Sequence, residues 1–147
     1  MAEVNKSVLV SHRADVMFDL VDAVERYPEF LPWCSATRLI HRNAGATRAT
    51  VFIRYHGIAQ SFTTENSKQA PRLMVIKLVE GPFRKLEGAW AFTPLDEHSC
   101  KIELSLRFEF ASRVLDKLIG PVFGMIANNL VDAFVKRADD VDAGHAA

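Results

Sequence analysis

The run SRVLDKLIGPVFGMIANNLVDAFVKRADDV, Ser112 to Val141, decides how the rest of the chain must be arranged. It is the one segment long and periodic enough for a major helix. Apolar pairs recur at Val114/Leu115, Leu118/Ile119, Val122/Phe123, Ile126/Ala127, Leu130/Val131 and Phe134/Val135, a strict repeat of four. An α-helix turns once every ~3.6 residues, so each step of four drifts by about 40° and five steps rotate the stripe by about 200°. No flat surface could bury all of it. The helix must break or be surrounded. Gly120-Pro121 supplies a breaking point, because proline lacks an N–H and clashes with the carbonyl four residues earlier. The expectation is a short helix from about Ser112, with Ser112 as N-cap, a kink near Pro121, and a longer helix to about Asp140. One arc of it packs on a sheet. The arc beyond the kink is expected to face a ligand cavity or to form a movable lid.

Most of what precedes this run reads as strands. Cys100 to Phe110 is the cleanest: Ile102, Leu104, Leu106, Phe108 and Phe110 alternate with Lys101, Glu103, Ser105, Arg107 and Glu109, which means one buried and one solvated face. Before it, residues 84–93 set Leu86, Gly88, Trp90 and Phe92 on one face, with Gly88 marking a bend or bulge. Residues 72–79 turn Met74, Ile76 and Leu78 inward, and 58–66 place Ile58, Gln60, Phe62 and Thr64 together. Two further strands, 47–56 and 36–43, are separated by turns at Asn43–Ala46 and His56-Gly57. Phe83 falls in a loop and looks exposed. At the start, a valine-rich strand over 3–10 leads into a short helix, Ala14–Val24, whose Asp15 suits the positive end of the helix dipole. YPEFLPWC, residues 27–34, holds two prolines yet is too apolar for a free loop, so it is expected as a compact turn against the core or at a pocket rim. Seven strands with short connections imply an antiparallel sheet whose apolar face needs a cover, and the C-terminal run is the available one. The fold class is α+β: a curved antiparallel sheet of about seven strands gripping one long helix, in a single domain over 1–147.

Composition excludes some function classes. Half the residues are hydrophobic (49%), 24% are charged and the formal net charge is zero, so global charge favours no nucleic acid and no DNA partner is expected. No apolar run approaches the ~20 residues of a membrane span and the N-terminus lacks a signal-peptide core, which gives a cytoplasmic expectation. Cys34 and Cys100 match no metal spacing and are expected as reduced thiols. Charge is unevenly spread. Residues 30–64 contain no acid but hold Arg38, Arg42, Arg48 and Arg54, a local charge of +4 and a candidate contact for phosphate, on RNA or on an anionic lipid surface.

Catalytic signatures are missing. There is no GxSxG, HExxH, phosphate loop or CxxC. His12, His41, His56, His98 and His145 are scattered near turns, and Glu87, Glu103 and Glu109 lie on solvent faces. Tyr55, Gln60 and Thr64 are candidate polar points in a mostly apolar cavity, the lining that a hydrophobic ligand with a polar head requires.

Three stretches, MFDLVDAVERYPEFLPWC, GPFRKLEGAWAF and KIELSLRFEF before an apolar C-terminal helix, resemble the coenzyme Q-binding family, START-like helix-grip proteins of the polyketide cyclase superfamily whose bacterial branch includes the ribosome-association toxin RatA. The resemblance spans about Val4 to Val141. It implies a non-enzymatic protein that holds a hydrophobic ligand, ubiquinone or a related prenyl lipid, in an internal cavity in support of respiration, with no other cofactor and no metal. The alternative it implies is a toxin that binds the large ribosomal subunit and blocks subunit joining; an aromatase/cyclase-type enzyme is a third, weaker reading. Under the first, Trp90, Phe92, Leu104, Leu106 and Phe108 of the sheet and Phe123, Ile126 and Leu130 of the helix line the cavity, with Trp33 and Phe83 at its mouth. Under the second, Arg38, Arg42, Arg48 and Arg54 carry the contact. Peripheral contact with the inner membrane fits either.

Overall fold

A computed structural model describes residues 2–142; His145 lies outside them. Seven strands form one antiparallel sheet in the order β1-β7-β6-β5-β4-β3-β2. They are β1 (Ala2–Val10), β2 (Cys34–Arg42), β3 (Ala46–Tyr55), β4 (Ile58–Gln69), β5 (Leu73–Glu80), β6 (Phe83–Pro94) and β7 (Cys100–Phe110). From β2 to β7 each strand pairs with the next along the chain. The exception is β1, which returns to pair with β7, Ala2 opposite Phe108 and Val10 opposite Cys100. Between β1 and β2 come α1 (Ala14–Asp22) and a 3₁₀ turn, Val24–Glu29; α2 (Arg113–Asp142) follows β7. The fold class and the order of elements agree with the sequence reading.

Local chemistry explains the turns. His56 (φ 48°) and Gly57 (φ 80°) occupy left-handed backbone in succession, the two-residue hairpin geometry that matches strand twist. Ser112 caps α2: the Leu115 amide donates to its hydroxyl oxygen at 3.2 Å. Register shifts in β2, between β4 and β5, and at the start of β6 let the sheet curl around the helix.

Gly88 differs from expectation. The register with β7 runs unbroken across it, Gly88 opposite Leu106, so there is no bulge. What requires glycine is proximity: a Cβ there would sit 2.2 Å from the Ser105 carbonyl oxygen. Phe83 also differs. It opens β6, is only 7% exposed and stacks on Phe110 at 4.8 Å, because the register shift between Phe83 and Lys85 breaks the alternation and turns its ring inward.

The main correction concerns α2. It is one unbroken 30-residue helix, with Pro121 inside it. The repeat of four implied either a break or a wrap. The molecule takes a third course. The buried residues are Ile119, Phe123, Ile126, Ala127, Val131, Phe134 and Ala138, a set that follows the ~3.6-residue turn and ignores the repeat of four. The leading members of that repeat, Val114 and Leu118, are left 66% and 59% exposed. An 18-residue window of α2 also meets the length and composition of a membrane span, contrary to the sequence expectation, which counted only uninterrupted apolar runs; a third of that window is buried.

The concave face of the sheet carries two clusters. One, around Met17, Phe18, Val21, Phe92, Ile102 and Leu104, fills the space under α1 and the second half of α2. The other, around Trp33, Ile53, Phe83, Leu106, Phe108 and Phe123, fills the space under the first half of α2.

Candidate functional site

Where the two clusters meet, packing is incomplete. A cavity of about 100 Å³ lies between the sheet and α2. Its helix wall is Phe123, Ile126, Ala127, Leu130 and Phe134. The sheet contributes Val51, Phe62, Ile76, Leu86, Trp90 and Leu106, from the five consecutive strands β3 to β7. Val24, Tyr27 and Trp33 close the remaining side. Alternation along the strands is what aims these side chains inward.

Two aromatic groups stand at the ends. Phe123 meets Phe108 at 4.7 Å, Phe83 at 5.0 Å and Phe62 at 5.9 Å. Phe134 meets Phe30, Tyr27 and Trp90 edge-on at 5.3, 5.4 and 5.5 Å. Such edge contacts add about 0.5–1.5 kcal/mol each beyond area burial, so both ends are stiff. Arg137 ties the outside of this wall to the 3₁₀ turn, donating to Glu29 at 2.6 Å and lying 5.0 Å over the Phe30 ring.

Polar groups in the lining are few. The Thr64 hydroxyl donates to the Asn66 side-chain oxygen at 3.2 Å, and both residues line the cavity. The Tyr27 hydroxyl donates to the Val21 carbonyl. Burial pushes the Tyr27 phenol well above its ordinary pKa, with the nearby Asp22 charge acting in the same direction, so it stays neutral. Among the described residues no cluster of His, Cys, Asp or Glu is placed to hold a metal. The arrangement can enclose an apolar group and offer it one or two hydrogen bonds.

Six of the ten expected cavity residues do line it: Trp33, Trp90, Leu106, Phe123, Ile126 and Leu130. The other four do not. Phe83 and Phe108 stand behind Phe123 as packed core. Phe92 and Leu104 point inward as alternation requires, but α1 covers that part of the sheet, and Phe92 meets Phe18 at 5.6 Å. Of the polar candidates, Thr64 is in the lining. Gln60 lies outside the lining: it sits opposite Ile53 in the pairing of β3 with β4, at a separate groove with Ser35 and Arg54, and Tyr55 packs at the margin of the first cluster. Asn66 was not anticipated, whereas Tyr27 falls in the 27–34 stretch expected at a pocket rim, though not as a polar point. The signal for Asn66 was present, since it continues the Phe62, Thr64 alternation along β4.

Two of the four arginines of the hairpin are neutralised by acids from outside it. Arg42 donates to both Glu25 carboxylate oxygens at 2.8 and 2.9 Å and to the Asp22 carbonyl at 2.7 Å. The Glu25 carboxyl is held below its usual range, first by this hydrogen bond. Arg48 donates to Glu65 at 3.1 Å. Arg38 and Arg54 remain exposed and form no ion pair among the described residues.

Known proteins share this arrangement. The model for "Polyketide cyclase / dehydrase and lipid transport" matches residues 10–135. A ribosome association toxin RatA of Vibrio cholerae is 43% identical over 141 residues, covering 96% of this chain and 98% of that one. Coenzyme Q-binding protein COQ10 homolog B of Xenopus laevis is 26% identical over 140 residues, 92% of this chain and 57% of that protein. A START superfamily protein from Mycobacterium smegmatis shares the fold with a TM-score of 0.79 at 21% identity, over 95% of this chain and 98% of that one. A match to the family model across most of the chain, together with a relative 43% identical end to end, shows that the chain belongs to the polyketide cyclase/dehydrase and lipid transport family.

Proposed function

We propose that this chain works by binding and not by catalysis, as a ribosome-association protein directed at the large subunit. The observation that carries this is the 43% identity, end to end, with a protein named for ribosome association. This reverses the order of the two main readings drawn from the sequence, in which quinone binding stood first. The exposed cations without partners, Arg38 on β2 and Arg54 at the end of β3, are the groups on the hairpin free to meet phosphate. Arg42 and Arg48 are engaged within the fold. The test is sedimentation of the purified protein with separated ribosomal subunits through sucrose gradients. Comigration with the large subunit at low salt, lost as salt is raised, is expected. An Arg38→Glu/Arg54→Glu double variant should lose it. A protein that stays at the top of the gradient at low salt sinks the proposal.

A second reading rests on the cavity. Its apolar walls and sparse polar points suit a hydrophobic ligand with a polar head, and the COQ10 relative gives ubiquinone or a related prenyl lipid as the class to try. Size is the constraint. About 100 Å³ is below the roughly 150 Å³ that accepts a benzene ring and well under the ~300–1,000 Å³ of drug-sized sites. A quinone ring would therefore have to part α2 from the sheet, and its chain would have to leave through the gap. Adding short-chain ubiquinone should raise the thermal midpoint. An unmoved midpoint, with no lipid in organic extracts of the protein, removes this reading, and a role in respiration with it.

A further inference from the structure

The outer face of the first half of α2 carries more apolar surface than the fold covers. Val114 and Leu118 are 66% and 59% exposed, Pro121 is exposed, and Met125 is half-buried. At ~100° per residue these four project in one direction and form a stripe about 16 Å long. The stripe stops sharply. The next residues on that face are Asn128, Asn129, Asp132 and Lys136. Arg113 and Lys117 border the stripe, both exposed and without an ion-pair partner among the described residues. Asp116, the one acid in the first four turns, is turned away toward Gly120 and Phe110.

We propose that this face docks onto an anionic lipid surface, the stripe entering the headgroup–acyl boundary and Arg113 and Lys117 meeting lipid phosphates. Two observations favour lipid. An amphipathic helix that lies in a membrane interface combines an exposed apolar face with bordering cations. Leu115, Val122 and Met125 pack at least in part on the core, but Val114 and Leu118 belong to neither core cluster, so their apolar character serves something outside the fold. A second copy would bring the same cations and, on this face, no acid before Asp132. An RNA surface would complement the cations and leave Val114 and Leu118 in water. The proposal stands apart from the ribosome and cavity readings, since it uses none of their residues.

The experiment is cosedimentation with vesicles of phosphatidylcholine alone or with one-third phosphatidylglycerol. Partition onto the anionic vesicles, weakening as salt rises, is expected. Leu118→Glu should lower that partition about tenfold or more. Lys117→Ala should lower it about fivefold on anionic vesicles and leave any weak binding to neutral ones unchanged. Both side chains are exposed, so an unchanged thermal midpoint verifies that the variants are folded. Three results would each overturn the proposal: no partition of the parent protein onto anionic vesicles at low salt, equal partition of Leu118→Glu, or a lipid-free dimer of the parent protein that Leu118→Glu converts to monomer.

Discussion

Replacing Asp22 by alanine should cost more stability than any other single change to a charged residue in this protein. Asp22 ends α1, where a carboxylate faces the negative end of the helix dipole and is locally unfavourable. Its surroundings reverse that. Lys68 Nζ lies 3.1 Å from one oxygen, Arg42 Nε 3.4 Å from the same oxygen, and the buried Thr47 hydroxyl donates to the other at 2.7 Å. The Lys68 side chain is only 5% exposed. Asp22→Ala leaves that ammonium enclosed without its carboxylate, and breaking a buried pair from one side costs about 3–5 kcal/mol. Asp22 itself is 16% exposed, so some water reaches the site and the lower value applies. For 147 residues the unfolding entropy is about 0.3 kcal/mol/K, so a loss of ~3 kcal/mol lowers the thermal midpoint by about 10 °C. Lys68→Met alone should cost less, since Arg42 and Thr47 still serve Asp22. The double variant should recover part of the loss, with a coupling of about 2 kcal/mol in urea unfolding followed by tryptophan fluorescence. A midpoint within 2 °C of the parent for Asp22→Ala, or additive single changes, would refute this account of the pair.

Three further outcomes are expected. Gly88→Ala places a Cβ 2.2 Å from the Ser105 carbonyl and must part β6 from β7; a destabilisation of about 3 kcal/mol in urea titration is expected, and a neutral effect would show that the strands can separate at little cost. Burial pushes the Cys34 thiol up to about 11, so at pH 8 it should react with a disulfide reagent about 100-fold more slowly than an exposed cysteine; because the unfolded chain gives up that proton first, stability should fall as pH climbs from about 9 toward 11, and a Cys34→Ala variant should lose that part of the slope. Phe123→Ala should cost about 3–5 kcal/mol and enlarge the cavity, since Phe62, Phe83, Phe108 and Phe110 all rest on that ring; a loss under 1 kcal/mol in the same titration would mean that the cluster closes over the gap.

The sheet was legible because alternation is local information. Ile102 to Phe110 name their own faces, and His56-Gly57 names its turn. What was not legible depends on partners distant in sequence. Glu25 and Glu65 neutralise Arg42 and Arg48, and nothing within residues 30–64 records that. Phe92 and Leu104 obey the same alternation as Trp90 and Leu106, yet only the second pair reaches the cavity, because the cover over each part of the sheet is a different helix. The repeat of four in α2 mixes two surfaces, one that the core uses and one that it leaves to solvent, and periodicity alone cannot separate them.

The pairing of β1 with β7 has a consequence for how the chain is made. The first strand waits for the seventh, with Ala2 opposite Phe108, and the helix that covers the sheet follows all seven strands. Synthesis at ~5–20 residues per second therefore exposes the concave faces of β3 to β6 for several seconds before either partner emerges. With so many of its contacts between residues far apart in sequence, the chain belongs to the slower folders of its size. In that interval the nascent sheet is a natural client for a chaperone at the exit of the synthesis tunnel, and truncations ahead of Arg113 should accumulate as insoluble or chaperone-bound chains.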